Sequence, residues 1–453
     1  MPHPYLPLTD HDRAAMLKAI GEPAVDSLFD SIPPDLRLGR PLALPGHLSE
    51  MELAREFGRM AGANRPVSSL ESYLGAGAYE HYAPSVVRHV LGRSEFYTSY
   101  TPYQPELTQG MLQAIWEYQS MVCLLTGMDV SNASLYEGGH ALAESCLMAC
   151  AATGRKKVVL AEGLHPEYRQ VVKTYAGPQG IQVVEVPQAA SGAADLKALE
   201  AHLDQDCAAL AFMNPNFFGC LESGADLAGL AHSKGALLVA CVEPVSLGLL
   251  APPGDFGADI ACGEGQPLGI PLSFGGPWVG FIACRQALVR RMPGRIAGIT
   301  DDNRGQRAFV LTLQTREQHI RREKATSNIC TNQTLLALAA TVTLSALGPV
   351  GLQEVATQCL SKAHYLAGLV SRVPGVELPH AAPFFCEFTL RLPVESAGVC
   401  RAMRGQGILA GVELSRFDKA RPRDLLVCAT ETKTRAQLDR YAEVLARAIK
   451  EAA

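Results

Sequence analysis

The turn best placed for covalent chemistry in this 453-residue chain carries a residue that cannot perform it. The stretch from Gly257 to Pro277 reads as a strand with Asp259 near its start, a polar turn Gly265-Gln266-Pro267 and a loop ending Gly275-Gly276-Pro277. At the end of a buried strand, such a turn is where a lysine amine could capture an aldehyde as a Schiff base. The flanking lysines are Lys234 and Lys324, with none between them. The turn offers Gln266, whose amide lone pair is delocalised into the carbonyl and cannot condense with an aldehyde. Lysines are sparse throughout, so the gap takes its meaning from where it falls.

Other polar groups surround this deficit. Tyr97-Thr98-Ser99-Tyr100-Thr101-Pro102-Tyr103-Gln104-Pro105-Glu106 is dense in hydroxyls and rings. It could line a polar pocket, or it is an extended packing segment before a helix read from Glu106 towards Thr126. Glu137-Gly138-Gly139-His140 opens a helix whose N-terminus could hold a phosphate. The glycines serve turn geometry equally well, and Glu137 would repel the phosphate. His140 could stack on a ligand ring, although a lone histidine is more often structural. Glu243 ends a strong apolar strand at the sheet edge where ligands bind, or merely caps it before Pro244. Thr315 through Asn332 is the densest polar and charged run in the chain. It reads as a solvated helical face with pairs such as Glu317 and Arg321. The uncharged portion from Thr326 leads straight into an apolar helix, which favours contact with a partner.

The elements that must position these groups form three regions. Residues 1–64 read as a helical arm, with Thr9 and Asp10 capping a helix stopped by Gly21 and a Ser49/Glu52 capping box opening a second. Residues 65–331 alternate helices with short apolar runs: 158–160, 182–186, 208–213 and 237–242, each read as a strand buried on both faces. That alternation predicts an α/β domain with a mainly parallel sheet and helices on both faces. Residues 332–453 read as a smaller α+β lobe, opening on an apolar helix from Leu335 to Leu347 that Gly348-Pro349 ends. This helix is too short and polar for a membrane span.

Composition excludes several classes. At 48% hydrophobic and 19% charged residues, the chain is globular. A formal net charge of -5 gives no basic footprint for nucleic acid or membrane. Thirteen cysteines without a C-x-x-C pair read as buried thiols in a reducing cytoplasm, with neither disulfides nor a metal site. Met1-Pro2-His3-Pro4-Tyr5 lacks the basic and apolar features of a signal peptide.

At Tyr5 through Thr9, Tyr97 through Glu106, Gly263 through Pro277 and Thr315 through Asn332, the chain resembles the P-protein family of the glycine cleavage system. It is similar to subunit 1 of the two-chain glycine dehydrogenase (decarboxylating). Single-chain members are about twice this length with two related halves, and this chain looks like the amino-terminal half. The resemblance implies a type I pyridoxal phosphate (aspartate aminotransferase-like) fold and an α2β2 assembly with subunit 2, which holds the coenzyme on its lysine. Glycine would lose CO2, and its aminomethyl group would pass to the lipoyl arm of the H-protein. Aligned on Pro271 and Gly275-Gly276-Pro277, Gln266 occupies the lysine position, with Pro267 the alternative because the spacing to Asp259 is one residue short. Glu243 replaces the aspartate that protonates the pyridine nitrogen, and Glu137 intrudes on the phosphate turn. The chain's own pocket is therefore expected to hold no cofactor. Its contribution is expected at the subunit interface, where Tyr97, Tyr100, Tyr103, Gln104, Asn328 and Thr331 would help complete the partner's site. A purely structural scaffold for subunit 2 is the first alternative. An autonomous pyridoxal phosphate enzyme using Lys234 is the second, with that lysine at the wrong edge of the sheet.

Overall fold

The computed structural model describes residues 5–453; Met1–Pro4, part of the amino terminus read above for a signal peptide, lie outside the described residues. The chain divides into two compact units, Met1–Arg65 and Pro66–Ala453. In the first, helix Asp10–Ile20 is closed at its N-terminus by a reciprocal Thr9/Asp12 box and stopped by Gly21 in the left-handed conformation at φ 78°. Helix Glu50–Gly62 carries the same device through Ser49 and Glu52. Neither helix buries a residue.

The second unit is built on a seven-stranded sheet. Its strands are β1 (Val130–Ser131), β2 (Lys157–Ala161), β3 (Gln182–Val186), β4 (Cys207–Asn214), β5 (Leu237–Val242), β6 (Ile260–Glu264) and β7 (Gly280–Cys284). They lie in the order β1-β7-β6-β5-β4-β2-β3, and only β7 runs against its neighbours. Alternate side chains feed two cores. Val159, Leu210, Phe212, Leu238 and Ala240 enter one; Val158, Leu160, Ala209, Val239 and Cys241 enter the other. Full burial of such aliphatic and aromatic side chains is worth about 1.5–3 kcal/mol each, so the sheet is a firm platform for whatever its edge carries.

Three expectations are corrected. β3 is not buried on both faces: it is the sheet's edge, Gln182 is exposed, and Val183 to Glu185 are half-buried. Glu185 meets Arg169 and Lys173 there, a charged edge of the kind that discourages further strand pairing. The helix after the tyrosine loop starts at Gln109, not Glu106, because Pro105–Leu107 forms a separate 3-10 turn. The apolar helix does not end at Gly348-Pro349; Thr334–Val370 runs 37 residues with a kink there. Gly348 takes φ 61°, and Pro349 begins the second half, where its missing N–H is not needed. By length and composition this helix could cross a membrane. However, Ala337, Leu338, Ala339 and Ala340 before the kink, and Ala356, Cys359, Ala363 and Leu366 after it, are buried. Ala337, Ala339, Ala340, Ala356 and Cys359 join the core beside the sheet, and Ala363 and Leu366 join that of the carboxyl-terminal lobe.

That lobe has a three-stranded antiparallel sheet with Asp424–Cys428 between Glu387–Arg391 and Val412–Glu413. Ser396–Gly405 and Arg435–Ala452 are its helices. It belongs to the same compact unit as the large sheet, and no unit boundary falls at residue 332.

Candidate functional site

Three features converge at the carboxyl edge of the sheet, where open α/β folds hold their ligands. Glu243 follows β5, Gln266 follows β6, and helix Gly138–Thr153 points its N-terminus at the same region. The sequence placed all three here. The structure adds what each is bonded to.

Gln266 is 1% exposed, and its side-chain amide is fully engaged. Its oxygen accepts the Tyr79 N–H at 2.9 Å, and its nitrogen donates to the carbonyls of Tyr79 at 3.0 Å and Ile270 at 2.8 Å. It ties the 73–81 segment across the seat. Pro267, next in chain, is also buried and carries no reactive group. Glu243 points its carboxylate back into its own turn, accepting the N–H groups of Val245 at 2.9 Å and Ser246 at 2.6 Å. Burial raises its pKa above the usual carboxylate range. Asp259 is spent similarly on Leu238 N–H and His232, both through Oδ2, at 2.8 and 2.9 Å.

A coenzyme phosphate needs the free N–H groups of a helix N-terminus. Here Glu137 takes those of Gly139 at 2.6 Å and His140 at 2.5 Å, and Glu264 takes that of Gly138 at 2.8 Å. Glu137, as the N-cap, sets its carboxylate against the positive end of the helix dipole. Tyr168 crowds the same turn. A Cβ built on Gly138 would lie 2.5 Å from its hydroxyl, and one on Gly139 would lie 2.9 Å from its ring. His140 stacks on Tyr136 at 4.6 Å and meets Tyr175 edge-on at 5.6 Å, so its faces are occupied by the chain's own rings. What remains is a cleft of about 360 Å³ lined by Tyr136, Glu137, His165, Tyr168, Trp278 and others. The residues present do not fit covalently bound pyridoxal phosphate: no amine, no free phosphate donors, and Glu243 turned away from where a pyridine nitrogen would lie. Lys234 does not repair this, because it sits exposed at the C-cap of Gly224–Ser233, beside the amino end of β5.

Glu264 is a residue that sequence reasoning missed. Besides Gly138 it accepts Gln266 N–H at 2.9 Å and Val279 N–H at 3.2 Å. Burial pushes its carboxyl up to about 8 in spite of those donors. Glu387 of the small lobe, fully buried, accepts Ala76 N–H at 2.7 Å and Tyr79 hydroxyl at 3.1 Å, with its pKa raised by burial to about 7. Tyr79 therefore bridges Gln266 and Glu387. The signal available in the sequence was a glutamate closing one apolar run, Gly263-Glu264, and opening another, Cys386-Glu387-Phe388.

The tyrosine loop and the 317–332 segment meet elsewhere on the same unit. Tyr97, Tyr100 and Tyr103 are 69%, 72% and 57% exposed, and Gln104 is exposed with its carbonyl accepting from Leu107 and Thr108. The charged run is not one helical face: only Gln318–Arg321 is α-helical, between two short 3-10 turns, and Glu317 lies buried against Arg295 at 4.0 Å instead of pairing with Arg321. Asn328 is exposed and lines a polar cavity of about 310 Å³ with Glu144, Tyr175, Gln318 and Arg322. Thr331 is half-buried. Asn332 donates to Ala133 carbonyl at 3.1 Å and Ser134 hydroxyl at 2.9 Å, three residues before Glu137. Arg295 joins the two regions, donating to Tyr103 hydroxyl and to Asn332 Oδ1, each at 3.3 Å. Tyr103 and Asn332 are thus brought together. No such bridge links Tyr97 or Tyr100 to them.

The sequence suggested no metal site. The structure does group His81, Cys359 and Glu431 with ligand-type atoms within 4.8 Å. Their hydrogen bonds close the group as a latch: Glu431 takes His81 Nδ1 at 2.7 Å, Tyr82 N–H at 2.7 Å and Cys359 Sγ at 3.4 Å.

The family model for the glycine cleavage system P-protein matches residues 3–445. A probable glycine dehydrogenase (decarboxylating) subunit 1 from Desulfitobacterium hafniense is 52% identical over 436 residues, 96% of this chain and 98% of the relative. A crystal structure of glycine decarboxylase (P-protein) of the glycine cleavage system, in inhibitor-bound form, superposes with a TM-score of 0.89 at 42% identity, covering 98% of this chain and 100% of that one. A sphingosine-1-phosphate lyase from Burkholderia pseudomallei, 16% identical with a TM-score of 0.67 over 93% of this chain and 95% of its own, shares the fold. With the whole length matched and the sheet order in hand, the chain belongs to the glycine cleavage system P-protein family, on the type I pyridoxal phosphate fold.

Proposed function

We propose that this chain is the lysine-free subunit of a two-chain glycine dehydrogenase (decarboxylating), and that it acts by completing the active site of a second subunit. Relatives over nearly the whole length carry the name subunit 1, which implies a subunit 2. In this reading the pair decarboxylates glycine, and the remaining aminomethyl group passes to the lipoyl arm of the H-protein in an α2β2 assembly. The second subunit binds pyridoxal phosphate covalently. One observation carries the division of labour: the chain's own coenzyme seat is filled by Gln266, Glu137, Glu264 and Tyr168. A chain that keeps this fold while closing its seat has its exposed polar loops left to contribute. Tyr97, Tyr100, Tyr103 and Gln104, with Asn328 and Thr331, are the groups proposed to face the partner. The thirteen free thiols support a reducing cytoplasm as its place of work.

The test is co-expression with subunit 2 and assay of exchange between the glycine carboxyl and bicarbonate. Tyr100→Phe and Tyr103→Phe are expected to lower turnover while the complex assembles with its coenzyme absorbance unchanged. Wild-type turnover in both variants would leave only a scaffold role.

A further inference from the structure

Arg295 is a buried arginine that joins two side chains far apart in sequence. It is 6% exposed, yet its guanidinium lies beneath the exposed Tyr103, with Cζ 5.2 Å from the ring centroid. It donates to the tyrosine hydroxyl through one terminal nitrogen and to Asn332 through the other, both at 3.3 Å. These partners lie 192 residues before it and 37 after it in sequence. Its counter-charge, Glu317, is 5% exposed at the side chain and sits 4.0 Å from Nε. The backbone around it is pinned as well. Ala133 N–H bonds the Arg295 carbonyl at 2.8 Å, and Arg316 donates to Gly294 carbonyl at 3.0 Å. Burying a cation costs free energy unless it is paired. A core position needing only volume would be served by an apolar residue. An exposed tyrosine hydroxyl and an asparagine amide from distant segments need a rigid two-pronged donor to hold them in register, and a planar guanidinium provides it where a lysine ammonium cannot.

We infer that Arg295 is a positioning residue: it fixes the Tyr103 hydroxyl and the Asn332 side chain relative to one another as one unit of the site completed on the partner subunit. This rests on the functional reading above and adds to it the group on which the tyrosine loop's geometry depends. Arg295 touches neither substrate nor coenzyme and acts through Tyr103 and Asn332.

The experiment compares Arg295→Lys, Tyr103→Phe and the double variant, each in the assembled two-subunit complex. Arg295→Lys keeps the charge and loses the fork. We expect it to assemble with unchanged coenzyme absorbance, to lower kcat for glycine-bicarbonate exchange roughly ten- to a hundredfold, as small misplacements in active sites do, and to leave KM nearly unchanged. The double variant is expected to fall no further than the worse single variant, because both changes break one hydrogen-bonded unit. Unchanged kcat in Arg295→Lys overturns the inference while a fall in Tyr103→Phe preserves the site-completing reading. Multiplying defects, or a fall in Arg295→Lys beside wild-type Tyr103→Phe, overturn it too, since Arg295 would then act by another route. Loss of assembly in Arg295→Lys also overturns it, by making the residue part of the interface or fold.

Discussion

Gln266→Lys would restore the missing amine, and the structure says the gain would be illusory. The native amide both accepts and donates, holding Tyr79 N–H, Tyr79 carbonyl and Ile270 carbonyl in a site 1% exposed. An ammonium donates to the two carbonyls but cannot accept, so the Tyr79 N–H is orphaned at about 1–3 kcal/mol. Bringing an uncompensated charge into a buried site adds about 3–5 kcal/mol, partly relieved if the amine sheds its proton. A loss on the order of 5 kcal/mol should lower Tm by about 6 °C for a unit of this size. Scanning calorimetry with and without pyridoxal phosphate measures it, and borohydride reduction followed by peptide mapping looks for a captured coenzyme. The expected result is the lower Tm, no recovery on adding the coenzyme, and no pyridoxyl adduct at position 266, because Glu137, Glu264 and Tyr168 still hold the phosphate turn. A wild-type Tm, or an adduct at that position, would refute the reasoning about the closed seat.

Glu264 sets a pH dependence. Its folded pKa, about 8, lies above the ordinary 4.5, so the fold binds a proton that the unfolded chain has released. The associated stability is fully present below about pH 4.5 and is lost as pH rises through about 8, at up to about 1.4 kcal/mol per unit. Glu264→Gln should therefore flatten the fall of Tm with pH across that window, and a slope equal to wild type would count against this role. Glu137→Ala removes the cap of helix Gly138–Thr153 and should cost about 0.5–2 kcal/mol in chemical denaturation. No change in the unfolding midpoint would mean that its two short hydrogen bonds contribute nothing.

The sheet was legible because its strands are apolar runs separated by amphipathic helices: β5 falls at Leu237–Val242 as read, and β2 and β4 differ only at their ends. The capping box at Ser49 was equally direct, since both halves lie within four residues; at the first helix Thr9 was read as a cap, but its partner is Asp12, and Asp10 is the first helical residue. The edge position of β3 was hidden, because Val183, Val184 and Val186 carry the same composition as a central strand. Ranking an edge requires knowing the order of pairing. The kink at Gly348 looked like an end because glycine and proline stop a helix and restart one with the same residues. At the seat, Gln266 and Glu137 could be singled out by type, but their partners Tyr79, Tyr168 and Glu387 lie too far away in sequence to be paired with them. Arg295 was invisible for the same reason. It stands in an ordinary Pro-Gly-Arg-Ile turn, and its meaning comes from Tyr103 and Asn332.

The carboxylates at the head of helix Gly138–Thr153 carry one more implication, for how the protein matures. An enzyme whose anion cradle stays unsatisfied until its vitamin-derived ligand arrives draws part of its stability from that ligand, and its folding tracks nutrient supply. Here the acceptors that satisfy the helix N-terminus are part of the polypeptide itself. On the reading proposed above, the folding of this chain should therefore not depend on vitamin B6 supply.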